Sequence, residues 1–272
     1  MVHAVELRTP YLLFLGAAES ALSAKTAAGI AHWRPENCLG QMRLAGCAAD
    51  LGLPDMDVAG AAARGAGTFI PGIAPLGGRM PEEWIAILVA ALEAGMDIAS
   101  GLHTRIAAIP EVAAAAARAG GRILDLREPP AGLPCGTGAP RPGRRVLTVG
   151  TDCAVGKMFT ALAHEREMKR RGHASDFRAT GQTGILIAGS GLAVDAVVAD
   201  FISGAVEVLA PAAEPGHWDV VEGQGSLFHP AYAGVSLGLL HGAQAEALIL
   251  CHELGRTEID VGGDYPAHPI AP

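Results

Sequence analysis

Fifteen residues, Arg144 to Met158 (RRVLTVGTDCAVGKM), restrict this chain more than any other stretch. Val146 to Val149 form an apolar, β-branched run, Gly150 to Gly156 is a loop opened and closed by glycine, and Lys157 begins a helical pattern. A strand, glycine loop and helix in that order build an anion cradle. Loop N–H groups turn inward, and the helix adds unpaired N-terminal donors and the positive end of its dipole. The expected phosphate contacts are Gly150, Thr151, Asp152, Cys153, Ala154, Val155, Gly156, Lys157 and Met158. Loops of this kind usually place Ser or Thr after the lysine to hold Mg²⁺. Here that position is Met158, whose thioether cannot do so.

An α/β fold surrounds the loop. YLLFLG (11–16) reads as a buried strand leading into a helix-forming segment, and PEEWIAILVAALEAG (81–95) carries helix-start and helix-stop signals. Strands are expected at 96–99 and 122–126 around an alanine-rich helix. Such alternation implies parallel sheets with helices on their faces. The stretch between Pro35 and Pro54 reads as irregular, and its aspartates as turn and cap residues rather than metal ligands. Glu128 to Arg145 is dense in Pro and Gly, so one parallel-sheet unit is expected over 1–140 and a phosphate-loop unit over 141–272.

In parallel sheets ligands gather beyond the carboxyl ends of the strands. His103 and Arg105 fall there in the first half, Arg178 and Gln182 in the second. Glu222 ends the strand of HWDVVEGQGSLFHP, where an acid would face the phosphate loop, and His229 follows seven residues later. Arg256, after the strand 247–251, is a candidate carboxylate clamp by virtue of its planar fork. His103 and Arg256 also have a plainer reading as ordinary loop residues, and the glycines around Arg178 and Gln182 as turns, whereas Glu222 reads as more than a solvated acid.

The net charge of −8 offers no general attraction for nucleic acid or an anionic membrane, so any anion site must be local. The apolar run at 11–15 is far too short to span a bilayer. Five cysteines with neither a CxxC pair nor zinc-like spacing fit a reducing cytosol, so a cytoplasmic protein without a metal centre is expected.

The loop together with VVEG (220–223) is similar to the dethiobiotin synthetase branch of P-loop proteins. A closer resemblance is to a family first known as a domain of unknown function and associated with D-glutamate N-acetyltransferase. LFLG with AKTAAGIAHWRPE, ASGLHTRIA, VGTDCAVGKM, ATGQTGILIAGSG and VVEGQGSLFHPAYAGVSLGLLHG carry it, in one order along nearly the whole chain. That resemblance implies a Rossmann-like domain before a P-loop domain, and acetyl transfer from acetyl-CoA to the amino group of D-glutamate. It also implies further chain after the last residues here, and the family habit is a homo-oligomer. On this reading the loop holds CoA phosphates without Mg²⁺ and Glu222 or His229 is the base. His103, Arg105, Arg178, Gln182 and Arg256 would receive the substrate carboxylates between the domains.

Three other readings stay open. Cys153 could carry the acyl group as a thiol activated by the helix N-terminus. A ligase or kinase could use ATP with Mg²⁺ held by Glu222 and Asp152. A non-catalytic nucleotide or CoA sensor would need only one site.

Overall fold

The computed structural model describes residues 3–20, 22–73, 80–259 and 268–270. It divides into two compact units, Val5–Glu128 and Pro129–Pro272 with Met1–Ala4. The first element, β1 (His3–Ala4), therefore belongs to the second unit.

Within Val5–Glu128 strands and helices alternate: β2 (Tyr11–Gly16), α1 (Lys25–Trp33), β3 (Cys38–Arg43), α2 (Val58–Ala63), β4 (Thr68–Pro71), α3 (Trp84–Glu93), β5 (Asp97–Ser100), α4 (Pro110–Ala119) and β6 (Ile123–Asp125). All five strands run parallel, in the order β3-β2-β4-β5-β6. Numbered within the unit this is 2-1-3-4-5, a doubly wound sheet. Every residue of β2 is buried, as a strand covered on both faces requires. Phe14 and Phe69 pack with Trp84 and Leu88 of α3 and Val112 of α4 in one core. The turn signals act locally as their chemistry dictates. Asp57 accepts from Gly60 N–H at 2.7 Å to cap α2, and α4 begins with Pro110 and ends on left-handed Gly120.

The second unit contains β7 (Arg144–Gly150), α5 (Lys157–Arg170), β8 (Ser175–Arg178), α6 (Gln182–Ala188), β9 (Ser190–Gly191), α7 (Ile202–Leu209), β10 (Trp218–Val221), α8 (Ala233–Ala243), β11 (Ala247–Cys251), β12 (Glu258–Ile259) and β13 (His268–Pro269). Its main sheet is parallel with order β11-β7-β10-β8, while β1 pairs with β9 and β12 with β13. One face buries Val146 and Val220 against Ala161 and Met168 of α5. The other buries Leu147 and Val221 against Ile202 and Val206 of α7 and Leu239 of α8. β7 is thus an interior strand whose neighbours are β10 and β11, so the phosphate loop emerges beside the carboxyl ends of both.

The Pro/Gly segment is not a free linker ahead of residue 140. Glu207 on α7 accepts from Thr137 N–H, Thr137 Oγ1 and Gly138 N–H, each at 2.9 Å, and Arg141 donates to the carbonyls of Ala210 and Gly242. Those bonds tie 137–141 to the second unit, and the division falls at 128/129. Among the described residues no helix is long and apolar enough to cross a membrane, and none of the cysteines is in a disulfide.

Candidate functional site

Hydrogen bonds from two neighbouring segments fix the loop between β7 and α5. Thr151 N–H donates to Cys251 O at the end of β11, and Ser226 Oγ donates to Thr151 O at 2.9 Å. Thr151 Oγ1 lies 2.9 Å from His252 Nδ1. The chain then turns through Ala154, a non-glycine residue at φ +54°, and Gly156 at φ +93°. Lys157 is almost fully buried and folds back so that Nζ donates to Asp152 O at 2.6 Å. Burial pushes its ammonium below the usual lysine range. A Cβ added to Gly150 would lie 2.8 Å from Val155 and 3.0 Å from Lys157 Nζ, so glycine keeps the floor of the cradle open.

Asp152 is completely buried, and its carboxylate is committed: Oδ1 accepts from Cys153 N–H at 2.6 Å and Oδ2 from Arg256 Nη1 at 2.8 Å. Arg256 also donates to Cys153 O and pairs with Glu253.

Glu222 follows β10 directly. Its Oε2 accepts from Thr180 N–H at 2.8 Å and Gly181 N–H at 3.1 Å, and its backbone carbonyl accepts from Thr180 Oγ1. Burial, the largest influence, pushes its pKa up to about 7 against the opposing pull of those N–H groups. Asp195 adds to the rise and Lys157 counters it.

His229 is buried beside the loop, its ring centroid 4.5 Å from that of Tyr232. Donor atoms of His229, Asp152 and Cys153 all lie within 4.8 Å of one another. The types are those of a transition-metal site, but Arg256 holds the Asp152 carboxylate and buried Lys157 stands next to it, so the local charge opposes a cation. A second trio, Asp176, His217 and Asp219, is occupied in the same way, with Arg178 Nε donating to Asp219 at 2.7 Å and Nη2 to Asp176 at 3.4 Å. His229 Nδ1 accepts from Ala231 N–H at 3.2 Å.

The loop residues, Glu222 and His229 thus come together in the second unit. Gln182 opens α6, immediately after the Thr180–Gly181 pair that holds Glu222. The arginines expected to receive a substrate have partners of their own: Arg178 the two aspartates, Arg256 the loop, and Arg105 the carboxylate of Glu128 at 2.6 Å. His103 is exposed on the turn after β5, in the same unit as Arg105. Sequence reasoning passed over Thr148 and Ser226. Thr148 Oγ1 receives Gly223 N–H at 2.9 Å, which joins β7 to the turn after Glu222. A hydroxyl in an otherwise apolar strand was the available signal. Between the loop, α8 and β11 lies a mainly apolar recess of about 170 Å³ that includes Gly150, Gly223, Phe228 and Leu250.

Fold and site together define a protein with a Rossmann-like α/β unit followed by a P-loop α/β unit. The chain belongs to the DUF1611 family. Residues 42–129 match its N-terminal domain of unknown function, a Rossmann-like domain, and residues 134–272 its C-terminal domain of unknown function, a P-loop domain. It is 52% identical over 259 residues to a protein from Tritonibacter scottomollicae named D-glutamate N-acetyltransferase, covering 95% of this chain and 78% of that one. A protein of the same name from a Pseudoalteromonas species is 50% identical over 255 residues, covering 94% and 77%. The crystal structure of a DUF1611 family protein from Anabaena variabilis superposes with a TM-score of 0.86 at 35% identity, covering 97% of this chain and 79% of that one.

Proposed function

We propose that this chain is a D-glutamate N-acetyltransferase that takes its acetyl group from acetyl-CoA. The observation that carries this reading is half-identity, along nearly the whole chain, to relatives bearing that name. The loop agrees with it. CoA carries a diphosphate and a 3′-phosphate, which suit a glycine-floored cradle with one buried lysine. Met158 stands where a magnesium-binding hydroxyl would, and Asp152 is engaged by Arg256, so neither favours an ATP-cleaving ligase or kinase.

Acetyl transfer needs a neutral amine. The D-glutamate ammonium gives one proton to a base and, as the neutral amine, attacks the thioester carbonyl carbon; as the C–S bond breaks the nitrogen loses a second proton, which the departing CoA thiolate takes up to leave as a thiol. Glu222 is the base on this reading: with its pKa near 7 it is sufficiently ionised and sufficiently basic to take the ammonium proton. His229, buried beside the same loop, is the alternative base. The thioester is separated from the phosphates by the whole pantetheine arm. Glu222 therefore meets the amine only if that arm folds back over the loop, and the apolar recess next to Gly150 supplies surface for it. The amine acceptor is small and the reaction needs neither membrane nor nucleic acid; a reducing cytosol suits five cysteines of which none is in a disulfide.

The test is turnover of D-glutamate with acetyl-CoA, alongside calorimetry with CoA and with Mg-ATP. Acetylated D-glutamate and CoA binding support the proposal. Magnesium-dependent ATP binding without CoA binding would replace it with the ligase or kinase.

A further inference from the structure

A carboxylate is a poor neighbour for an incoming phosphate, yet Asp152 lies within the cradle, wholly buried, with its own carbonyl accepting Lys157 Nζ. Bare, its charge would repel an anion in a setting with little water to screen it, and would draw off the field of Lys157. It is not bare. Arg256 reaches back from the turn after β11 and contacts two points of the loop, Asp152 Oδ2 at 2.8 Å and Cys153 O at 3.1 Å. Its other carboxylate partner, Glu253, is more than half exposed and is screened by solvent. Lys157 lies close by but bonds the Asp152 backbone carbonyl, whereas this guanidinium contacts the carboxylate itself. Asp152 in turn accepts Cys153 N–H, so the pair sets the direction of the first loop amides.

We propose that Arg256 is a positioning residue of the phosphate loop: it neutralises Asp152 and clamps the Asp152–Cys153 turn, so that a loop containing a buried carboxylate can accept an anion. The inference rests on the reading that this loop takes the donor's phosphates. It gives Arg256 a task that does not involve the acceptor's carboxylates.

A charge-compensation cycle on the full chain tests it, with adenosine 3′,5′-bisphosphate and inorganic pyrophosphate as calorimetric probes and thermal melting in parallel. Arg256→Met is expected to weaken both probes about 10- to 100-fold, the range for loss of a charge-assisted contact. It should raise KM for acetyl-CoA far more than it lowers kcat. Adding Asp152→Asn to Arg256→Met should restore most of the affinity, because the charge needing compensation is gone. Arg256→Lys, which retains the charge without the fork, should lose less and serves as the second variant if Arg256→Met does not fold. Failure of Asp152→Asn to restore affinity would overturn the proposal, since Arg256 would then act on the anion itself. Wild-type affinity in Arg256→Met would overturn it as well. If the wild-type protein bound neither probe, the phosphate-loop reading and this inference would fall together, an outcome distinct from the other two.

Discussion

Thr148 and Gly223 meet with no room between them. Gly223 N–H donates to Thr148 Oγ1 at 2.9 Å, and a Cβ at Gly223 would stand only 1.6 Å from Thr148 O. This contact sets the turn after Glu222 against the strand that feeds the phosphate loop, so carboxyl and cradle share one support.

Gly223→Ala should therefore be among the most damaging single-methyl changes in the second unit. Relief requires separation of β7 from the turn, and overpacking in a dense core costs about 1–3 kcal/mol where neighbours can yield. Here the neighbour is backbone, so a loss at or above the top of that range is expected in urea unfolding, together with loss of turnover. Gly216→Ala, where an added Cβ meets nothing within 4 Å, is the control and should stay within about 0.5 kcal/mol of wild type. Equal effects from the two would show that the Thr148–Gly223 contact is not tight.

Much of this was legible in the sequence because local chemistry and global fold agree there. The strand, loop and helix of 144–170 declare themselves by composition; the apolar run Ala247–Cys251 implies a buried strand, and is a strand, but at the edge of its sheet with Leu248 and Leu250 exposed. β3 was not legible. CLGQMR (38–43) has a glycine and a glutamine in the middle, and was read as irregular; it is the edge strand of the first sheet, with Gln41 buried and bonded to Asp50. Helical periodicity runs through 192–209, but only Ile202–Leu209 is α-helical, after two 3₁₀ turns at 194–196 and 199–201. The Pro-rich tail carries no strand pattern, yet β12 and β13 form a small antiparallel pair; 260–267 lie outside the described residues. Arginine partners were the hardest part. Sequence places Arg178 and Arg256 at strand ends correctly, but the carboxylates that hold them, Asp219 and Asp152, lie 41 and 104 residues away.

Glu222 should give the protein two opposite pH signatures. In the folded state its pKa is raised from the ordinary 4.5 to about 7. Between those values the folded protein keeps a proton that the unfolded chain releases, so this residue's contribution to stability is full below 4.5 and is lost as pH rises through about 7. Catalysis runs the other way: the base is competent only when ionised, so kcat/KM should climb with pH and level off above about 7. Glu222→Gln should flatten both profiles and lower kcat by roughly 10²- to 10⁴-fold. A glutamine variant with unchanged kcat and an unchanged pH–rate profile would remove Glu222 from the reaction and leave it as the group that holds Thr180 and Gly181.

Lys157→Met removes the one buried ammonium of the cradle and the bond it makes to Asp152 O. Loss of a charge-assisted contact of this kind costs about 1.5–3 kcal/mol, or roughly 10- to 100-fold in the dissociation constant of CoA by calorimetry. The acceptor should feel much less of it, so KM for D-glutamate at saturating donor is expected to change by only a few fold, roughly. An equal loss for donor and acceptor would mean that the lysine serves the reacting centre instead of the phosphates.

Cys153 tests whether the acetyl group ever rests on the protein. Its thiol lies near His229 and Asp152, in the loop that precedes Lys157 and shares the positive field of that lysine and the α5 N-terminus. The same positive field is what a phosphate in the cradle would use, and a bound phosphate leaves the thiol no room to take the acyl carbon from the far end of the same donor. Direct transfer is therefore expected. Mass spectrometry after exposure to acetyl-CoA without D-glutamate should show no acetyl adduct on Cys153. Cys153→Ala should keep turnover within about tenfold of wild type, since one small loop side chain is changed and no reacting group is lost. A stoichiometric acetyl-cysteine that disappears on addition of D-glutamate would establish a covalent route, and would require the phosphates to lie elsewhere.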